Sequence, residues 1–106
     1  MKKICIIFGH HNSKDSFNAA IRDTFIEEAK KCGHQIDLIN LFEEEEQLPF
    51  YNSNFNPPPN IVLEYRKRLE NADIMFLIGS CNNLRLNAIL ENWVDWVLHP
   101  KWFFTY

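Results

Sequence analysis

Two short, continuous apolar blocks, each closed by a glycine, constrain the fold of this chain more than any other feature. The block "KICIIF" ends at Gly9, and the block "IMFLI" ends at Gly79. Uninterrupted runs of this length, rich in isoleucine, are typical of strands buried on both faces of a parallel sheet. We therefore expect the first block to form the middle strand of such a sheet and the second block to form another buried strand.

Helical periodicity follows each of these strands. Apolar residues recur every three or four positions from Phe17 to Cys32, and Gly33 follows as a stop signal. The same period runs from Leu86 to Leu98, where Pro100 opposes continuation of the helix. Each of the two strands is thus predicted to lead through a loop into an amphipathic helix.

A middle strand and helix complete the pattern. The alternating segment "HQIDLINLF" predicts a half-exposed strand nearer the sheet edge. After a loop that contains the acidic run 43–46 and three successive prolines, a helix is predicted from Asn60 as N-cap. Its apolar face is formed by Val62, Tyr65 and Leu69, and the basic run 66–68 is expected to point mostly outward. The order β-α-β-α-β-α predicts a parallel sheet with right-handed crossovers and helices on both faces.

Composition limits the classes of function. The 106 residues allow one domain at most, and a net charge of -3 with 46% hydrophobic residues argues against disorder and against a nucleic-acid-binding arm. No apolar run approaches the roughly 20 residues of a membrane span, and "MKKICIIF" is too short for a secretory signal, so we expect a cytoplasmic protein. The three cysteines, Cys5, Cys32 and Cys81, match no metal or redox spacing, so we expect reduced thiols and no metal site.

Two loops are candidates for carrying chemistry. In a doubly wound sheet, ligands bind beyond the carboxyl ends of the strands where the strand order reverses. The loops 9–18, "GHHNSKDSFN", and 79–87, "GSCNNLRLN", both leave such ends, and they face each other if the first and third strands are neighbours. The first loop enters a helix and offers Ser13, Ser16 and Asn18, which suits one phosphate monoester.

The same residues also allow plainer interpretations. Ser16 is equally interpretable as an ordinary helix N-cap, and His10 and His11 as solvated loop residues. The pair Trp93 and Trp96 lies on a helix, where packing in a core or an interface is the commoner role.

Both loops, together with their helices, resemble one family. "KICIIFGHHNSKDSFNAAI" resembles the opening of flavodoxin-like NAD(P)H:quinone oxidoreductases, the group of DT-diaphorase and of the reductases associated with potassium-efflux systems. "LNAILENWVDWVLHPKWFFTY" is similar to the third helix of the same family, and the likeness covers essentially the whole chain. The resemblance implies a flavodoxin-like α/β fold, a doubly wound parallel sheet with the strand order 2-1-3 for the three strands present.

The resemblance also implies a cofactor, a reaction and site residues. Family members hold FMN or FAD, which takes a hydride from NAD(P)H and passes two electrons to a quinone by a ping-pong route, and they form homodimers. By position, His10, Ser16, Phe17 and Asn18 would hold the flavin phosphate region. The loop that would run along the isoalloxazine ring comprises Ser80, Cys81, Asn82, Asn83 and Leu84.

Departures from the family pattern limit what the resemblance implies. His11 replaces a proline, and Ser80, Asn82 and Asn83 stand where the family has a proline and an aromatic pair. Family members continue with two further strands, so we expect residues 1–106 to be one domain that forms the N-terminal portion of a longer fold, with "IMFLI" as an open edge. The catalytic residues are not identified. The chain is therefore expected to be a flavin-dependent reductase, a truncated module that binds flavin weakly or pairs with another subunit, or a partial product without function of its own.

Overall fold

The protein, a computed structural model, is described over residues 1–52, 54–55, 57–82 and 84–99. In these ranges the chain forms the following elements: β1 (Lys3–Gly9), α1 (Phe17–Lys31), β2 (Gln35–Asn40), α2 (Asn60–Glu70), β3 (Ile74–Gly79), β4 (Cys81–Asn82), β5 (Arg85–Leu86) and α3 (Ala88–Val97). No helix among the described residues is both long enough and apolar enough to cross a membrane. The aromatic end of the chain, 102–106, lies outside the described residues.

Strands β1, β2 and β3 form a parallel sheet in the order β2-β1-β3, which confirms the expected order and the middle position of β1. Residues 5–8 of β1 are fully buried, as expected for a strand that has a neighbour on each side and helices on each face. The expectation of a second fully buried strand is wrong for the beginning of β3. Ile74 and Met75 are 45% and 39% exposed, because β3 is an edge strand of the described sheet.

Two hydrophobic cores lie on opposite faces of the sheet because successive side chains of a strand point in opposite directions. On one face, Ile6 and Phe8 pack with α1, and the rings of Phe25 and Phe76 stack with their centroids 4.7 Å apart. The other core contains Cys5, Ile7, Val62, Tyr65, Trp93 and Trp96. The packing interpretation of the two tryptophans is therefore confirmed.

The ends of α1 follow the local signals in the sequence. The Ser16 hydroxyl oxygen accepts a hydrogen bond from the amide of Ala19 at 3.0 Å, so Ser16 is the N-cap. At the other end, Gly33 has a φ of +82°, a left-handed conformation that residues with a Cβ rarely adopt. The helix ends within one residue of its predicted position because both signals act through neighbouring backbone.

Two predictions about α2 and α3 boundaries are wrong. Asn60 is the first helical residue of α2, and the capping position falls on Pro59, which offers no side-chain hydrogen bond. The helix thus begins one position earlier than predicted, because Pro59, with a φ of -54° and a ψ of 147°, already has the non-helical backbone of a capping residue. Leu86 belongs to β5 and α3 begins at Ala88, after its N-cap Asn87.

The basic run of α2 does not point uniformly outward. Lys67 is exposed, but Arg66 and Arg68 are half-buried. The guanidinium of Arg66 donates hydrogen bonds to the carbonyls of Trp96, at 2.7 Å, and Val97, at 3.2 Å. These carbonyls lie at the end of α3, so Arg66 satisfies acceptors that the last turn of a helix leaves unpaired.

Candidate functional site

The loops that follow β1 and β3 lie side by side, as predicted. The last paired residues of the two strands are Gly9 and Gly79, which are partners in the parallel register. Loop 10–16 therefore leaves the sheet directly beside the segment that begins at Ser80 and leads to α3. The crevice at the carboxyl ends of neighbouring strands, where α/β sheets bind ligands, has both of its walls in this chain.

Glycine at the strand ends allows α3 to pack closely on this edge of the sheet. A Cβ atom added at Gly9 would lie 2.5 Å from Cγ of Leu90 and 3.2 Å from Cγ2 of Ile89. A Cβ added at Gly79 would lie 3.0 Å from the carbonyl oxygen of Gly9. Leu90 is fully buried, so it has little space in which to move aside. The two glycines that close the apolar blocks thus set the position of α3 relative to the crevice.

Asn87 connects the two loops, a role that the sequence analysis did not identify. Its side-chain nitrogen donates to the carbonyl of Gly9 at 2.5 Å and to the hydroxyl of Ser80 at 3.2 Å. Its side-chain oxygen accepts from the amide of Leu90 at 3.1 Å and caps α3. An asparagine directly before an apolar helix is a signal for the cap, but the bond to Gly9, 78 residues away, has no local signal.

The first loop is held by its own polar side chains. The Asn12 side-chain oxygen accepts hydrogen bonds from the amides of Lys14, at 3.2 Å, and Asp15, at 2.9 Å, as in an Asx-turn. The Asn12 amide donates to Nδ1 of His10 at 3.0 Å, and the His10 ring stacks on His11 with centroids 4.5 Å apart. The His10 side chain is therefore held within the loop by these contacts and is not a freely solvated residue.

The start of α1 retains free backbone donors. The Ser16 hydroxyl is engaged twice, because it accepts from Ala19 and donates to the carbonyl of Asn12 at 2.7 Å. Among the described residues, the amides of Phe17 and Asn18 donate no hydrogen bond. First-turn amides at the positive end of a helix are suited to an anion. The interpretation of Ser16 as an ordinary helix N-cap is thus confirmed. Any anion at this position would bind to the amides of Phe17 and Asn18.

The second loop is a small antiparallel hairpin, which the sequence analysis described only as a loop. Strands β4 and β5 pair Cys81 with Leu86 and Asn82 with Arg85. Leu84, near its tip, has a φ of +64° and is 99% exposed, so a leucine adopts a strained backbone conformation and presents its side chain to solvent. Asn83, also a candidate site residue, lies outside the described residues.

A buried arginine packs against β1 and hydrogen-bonds to the first loop. Arg22 is 8% exposed, its guanidinium carbon lies 4.4 Å from the centroid of the Phe8 ring, and it donates to the carbonyl of Ser13 at 2.7 Å. Its Nε also pairs with Asp23 at 2.9 Å. The helical pattern gives no indication of this position, because the role depends on the contact of α1 with β1 and with the loop.

The groups with the largest pKa shifts are not part of the crevice. Burial, the largest cause, raises the pKa of the Cys5 thiol to about 11, and burial raises the pKa of Tyr65 to about 12. Both side chains belong to the core and are therefore uncharged at neutral pH. Among the residues described, no group of three or more His, Cys, Asp or Glu side chains could hold a metal ion.

Comparison with known proteins identifies the family. A family model described as "Flavodoxin-like fold" matches residues 2–106. Comparison with curated protein sequences finds no match.

Solved structures share the fold. An NAD(P)H:quinone oxidoreductase from Methanothermobacter marburgensis is 23% identical with a TM-score of 0.80, and the alignment covers 91% of this chain and 52% of that one. A protein of Streptococcus mutans UA159 is 26% identical with a TM-score of 0.75, covering 91% and 53%. An azoreductase from Bacillus anthracis is 14% identical with a TM-score of 0.73, covering 92% and 55%. The chain thus spans about half the length of these similar structures.

Proposed function

We propose that this chain, which belongs to the flavodoxin-like fold family, is part of a flavin-dependent oxidoreductase that transfers electrons from NAD(P)H to a quinone-like acceptor. The observation that carries the proposal is the pairing of Gly9 with Gly79, which places the loops after β1 and β3 on one crevice. Two of the similar structures carry names of the same class, a quinone oxidoreductase and an azoreductase.

The residues of the crevice fit a flavin carrying a phosphate, FMN or FAD. The free amides of Phe17 and Asn18 suit the phosphate, and Ser16 and His10 hold the loop that presents them. The segment Ser80–Leu84 follows the strand end on the other wall, where the exposed Leu84 offers apolar surface to a ring. Cys81, at the start of the hairpin, is exposed. A bound flavin supplies two-electron hydride chemistry, and the chain's part is to bind and orient it.

Flavin binding through the helix start is tested by Asn18→Asp. The substitution keeps the size of the side chain and adds a negative charge beside the amides proposed to bind phosphate. We expect FMN affinity to fall about tenfold because like charges repel, while affinity for riboflavin, which has no phosphate, is unchanged. Quenching of flavin fluorescence on titration into the purified protein measures both affinities.

The control makes the same exchange elsewhere. Asn71→Asp lies at the exposed C-cap of α2 and should leave both affinities at the parent values. An Asn18→Asp variant that binds FMN as tightly as the parent would show that the phosphate lies elsewhere. A parent protein that takes up neither FMN nor FAD would overturn the proposed function itself.

A second candidate function is a non-catalytic flavodoxin-like module that binds flavin weakly or pairs with another subunit. It is favoured by the apolar surface that Ile74 and Met75 expose on β3, an edge strand of the described sheet, which suits pairing with another subunit. Oxidation of NADPH in the presence of menadione by flavin-loaded protein separates the two candidates. Turnover supports the reductase, whereas flavin uptake without turnover supports the module.

A further inference from the structure

Three hydrogen bonds fix the orientation of the Asn87 side chain. Its oxygen accepts from the amide of Leu90 at 3.1 Å, and a side-chain amide can accept only through its oxygen. The nitrogen end therefore faces the strand ends. It donates to the carbonyl of Gly9, at 2.5 Å, and to the hydroxyl of Ser80, at 3.2 Å, and these two bonds use both of its hydrogens.

The bond from Asn87 determines what the Ser80 hydroxyl can still do. A hydroxyl has one hydrogen to donate and an oxygen that accepts. Because this oxygen accepts from Asn87, its hydrogen is available to another group, and no residue that the structure describes accepts it. Ser80 is half-buried and directly follows Gly79, so the unused donor lies where the second wall of the crevice begins.

Ser80 and Asn87 are also connected through the backbone. The amide of Asn87 donates to the carbonyl of Ser80 at 3.1 Å, so the two residues are joined twice at the base of the hairpin formed by β4 and β5. Asn87 is in turn held by the first turn of α3, which it caps. The Ser80 hydroxyl is therefore placed by α3 and by the end of β1, and its position does not depend on the hairpin alone.

We propose that Ser80 binds flavin by donating from its hydroxyl to the riboflavin part of the cofactor, and that Asn87 positions this hydroxyl. The inference rests on the proposed function, in which the segment from Ser80 lies along the flavin and the phosphate binds at the start of α1. Riboflavin offers carbonyl, ring-nitrogen and ribityl oxygen acceptors to such a donor. The proline that the resembling family has at this position provides no donor, so the contact is a property of this chain.

The role of Ser80 is tested by Ser80→Ala, with flavin fluorescence as the measure of affinity. We expect the dissociation constants of FMN and of riboflavin to rise by the same factor, about five- to tenfold, because the lost hydrogen bond does not involve the phosphate. Ser80→Thr keeps the hydroxyl and should bind both flavins like the parent. Thr24→Ala, which removes an exposed hydroxyl from α1, is the matched control and should leave both constants unchanged.

The role of Asn87 is tested by Asn87→Ser, alone and combined with Ser80→Ala. Serine is also a good helix N-cap, so α3 keeps its cap, but the amide nitrogen that donates to Ser80 is lost. The single substitution should weaken riboflavin binding about threefold. It should have no further effect when Ser80 is already alanine, because residues that act through one contact are not additive. Effects that add would show that Asn87 does not act through the Ser80 hydroxyl.

Melting curves followed by circular dichroism identify the folded variants, and if Asn87→Ser does not fold, Ser80→Ala and Ser80→Thr decide the proposal. Riboflavin affinity that is unchanged in Ser80→Ala would overturn it. A loss confined to FMN would do the same, because the hydroxyl would then contact the phosphate. A parent protein that takes up no flavin contradicts the proposed function, whereas a parent that binds flavin no better than Ser80→Ala contradicts this inference alone.

Discussion

At the scale of single residues, the absence of a side chain at Gly9, the last residue of β1, is predicted to matter for both the stability of the protein and the shape of the crevice. An alanine at Gly9 would bring a Cβ to 2.5 Å from the buried Leu90. We expect Gly9→Ala to lower the free energy of unfolding by about 2–3 kcal/mol, since well-packed cores resist added methyl groups. Urea denaturation followed by circular dichroism measures the change.

Gly33→Ala is the matched control, because it is the same exchange at a position where the new Cβ has no atom within 4 Å. We expect Gly33→Ala to lower the free energy of unfolding by about 1 kcal/mol, only because an alanine must adopt the left-handed backbone at a φ of +82°. If Gly9→Ala cost no more than Gly33→Ala, the close contact between α3 and the strand end would not limit stability.

At the scale of secondary-structure elements, one ion pair links β2 to α2 and makes stability depend on pH. Arg68 donates to both carboxylate oxygens of Asp37, at 2.9 Å through Nε. The hydrogen bond from Arg68, the largest cause, lowers the pKa of Asp37 below its ordinary value. A lowered folded-state pKa stabilises the protein above the unfolded-state value of about 4, and this contribution is lost as the pH falls through the folded-state pKa.

We therefore expect Asp37→Asn to cost about 1 kcal/mol at pH 7, a value discounted because the Arg68 side chain is 35% exposed. The difference from the parent should shrink as the pH falls below about 4 toward the folded-state pKa of Asp37, because the carboxylate is then protonated first in the unfolded state and at lower pH in the folded state. Free energies of unfolding at pH 7 and pH 3 test this, with the exposed Asp95→Asn as control. An equal loss at both pH values would exclude the ion pair as its cause.

At the scale of the whole molecule, the edge strand β3 of the described sheet is a candidate surface for association of two chains. Within the described sheet, Ile74 and Met75 expose apolar surface beside backbone that pairs with no further strand, a combination that promotes pairing with another chain. The homodimer remains a prediction, and light scattering should give twice the monomer mass. Met75→Lys is expected to shift the protein toward monomer, because a charge on an edge strand opposes pairing.

Leu63→Lys provides the comparison for this experiment. Leu63 is 40% exposed, nearly the same as Met75 at 39%, but it lies on α2 and away from the sheet edge. Loss of the dimer in both variants would point to general surface hydrophobicity, and a parent that is monomeric at all concentrations would contradict the prediction.

The order of the main strands and helices and the parallel sheet with β1 in its middle could be predicted from the residues alone, because apolar periodicity and glycine stops act between residues close in the chain. That the two loops are neighbours was implied by the resemblance to the family. Three contacts could be seen only in the tertiary structure: Asn87 bonds to Gly9, Arg22 donates to the first loop, and the buried side-chain oxygen of Asn40 accepts no hydrogen bond from the described residues. Each of these depends on groups from distant elements meeting at one point, and local patterns carry no information about such contacts.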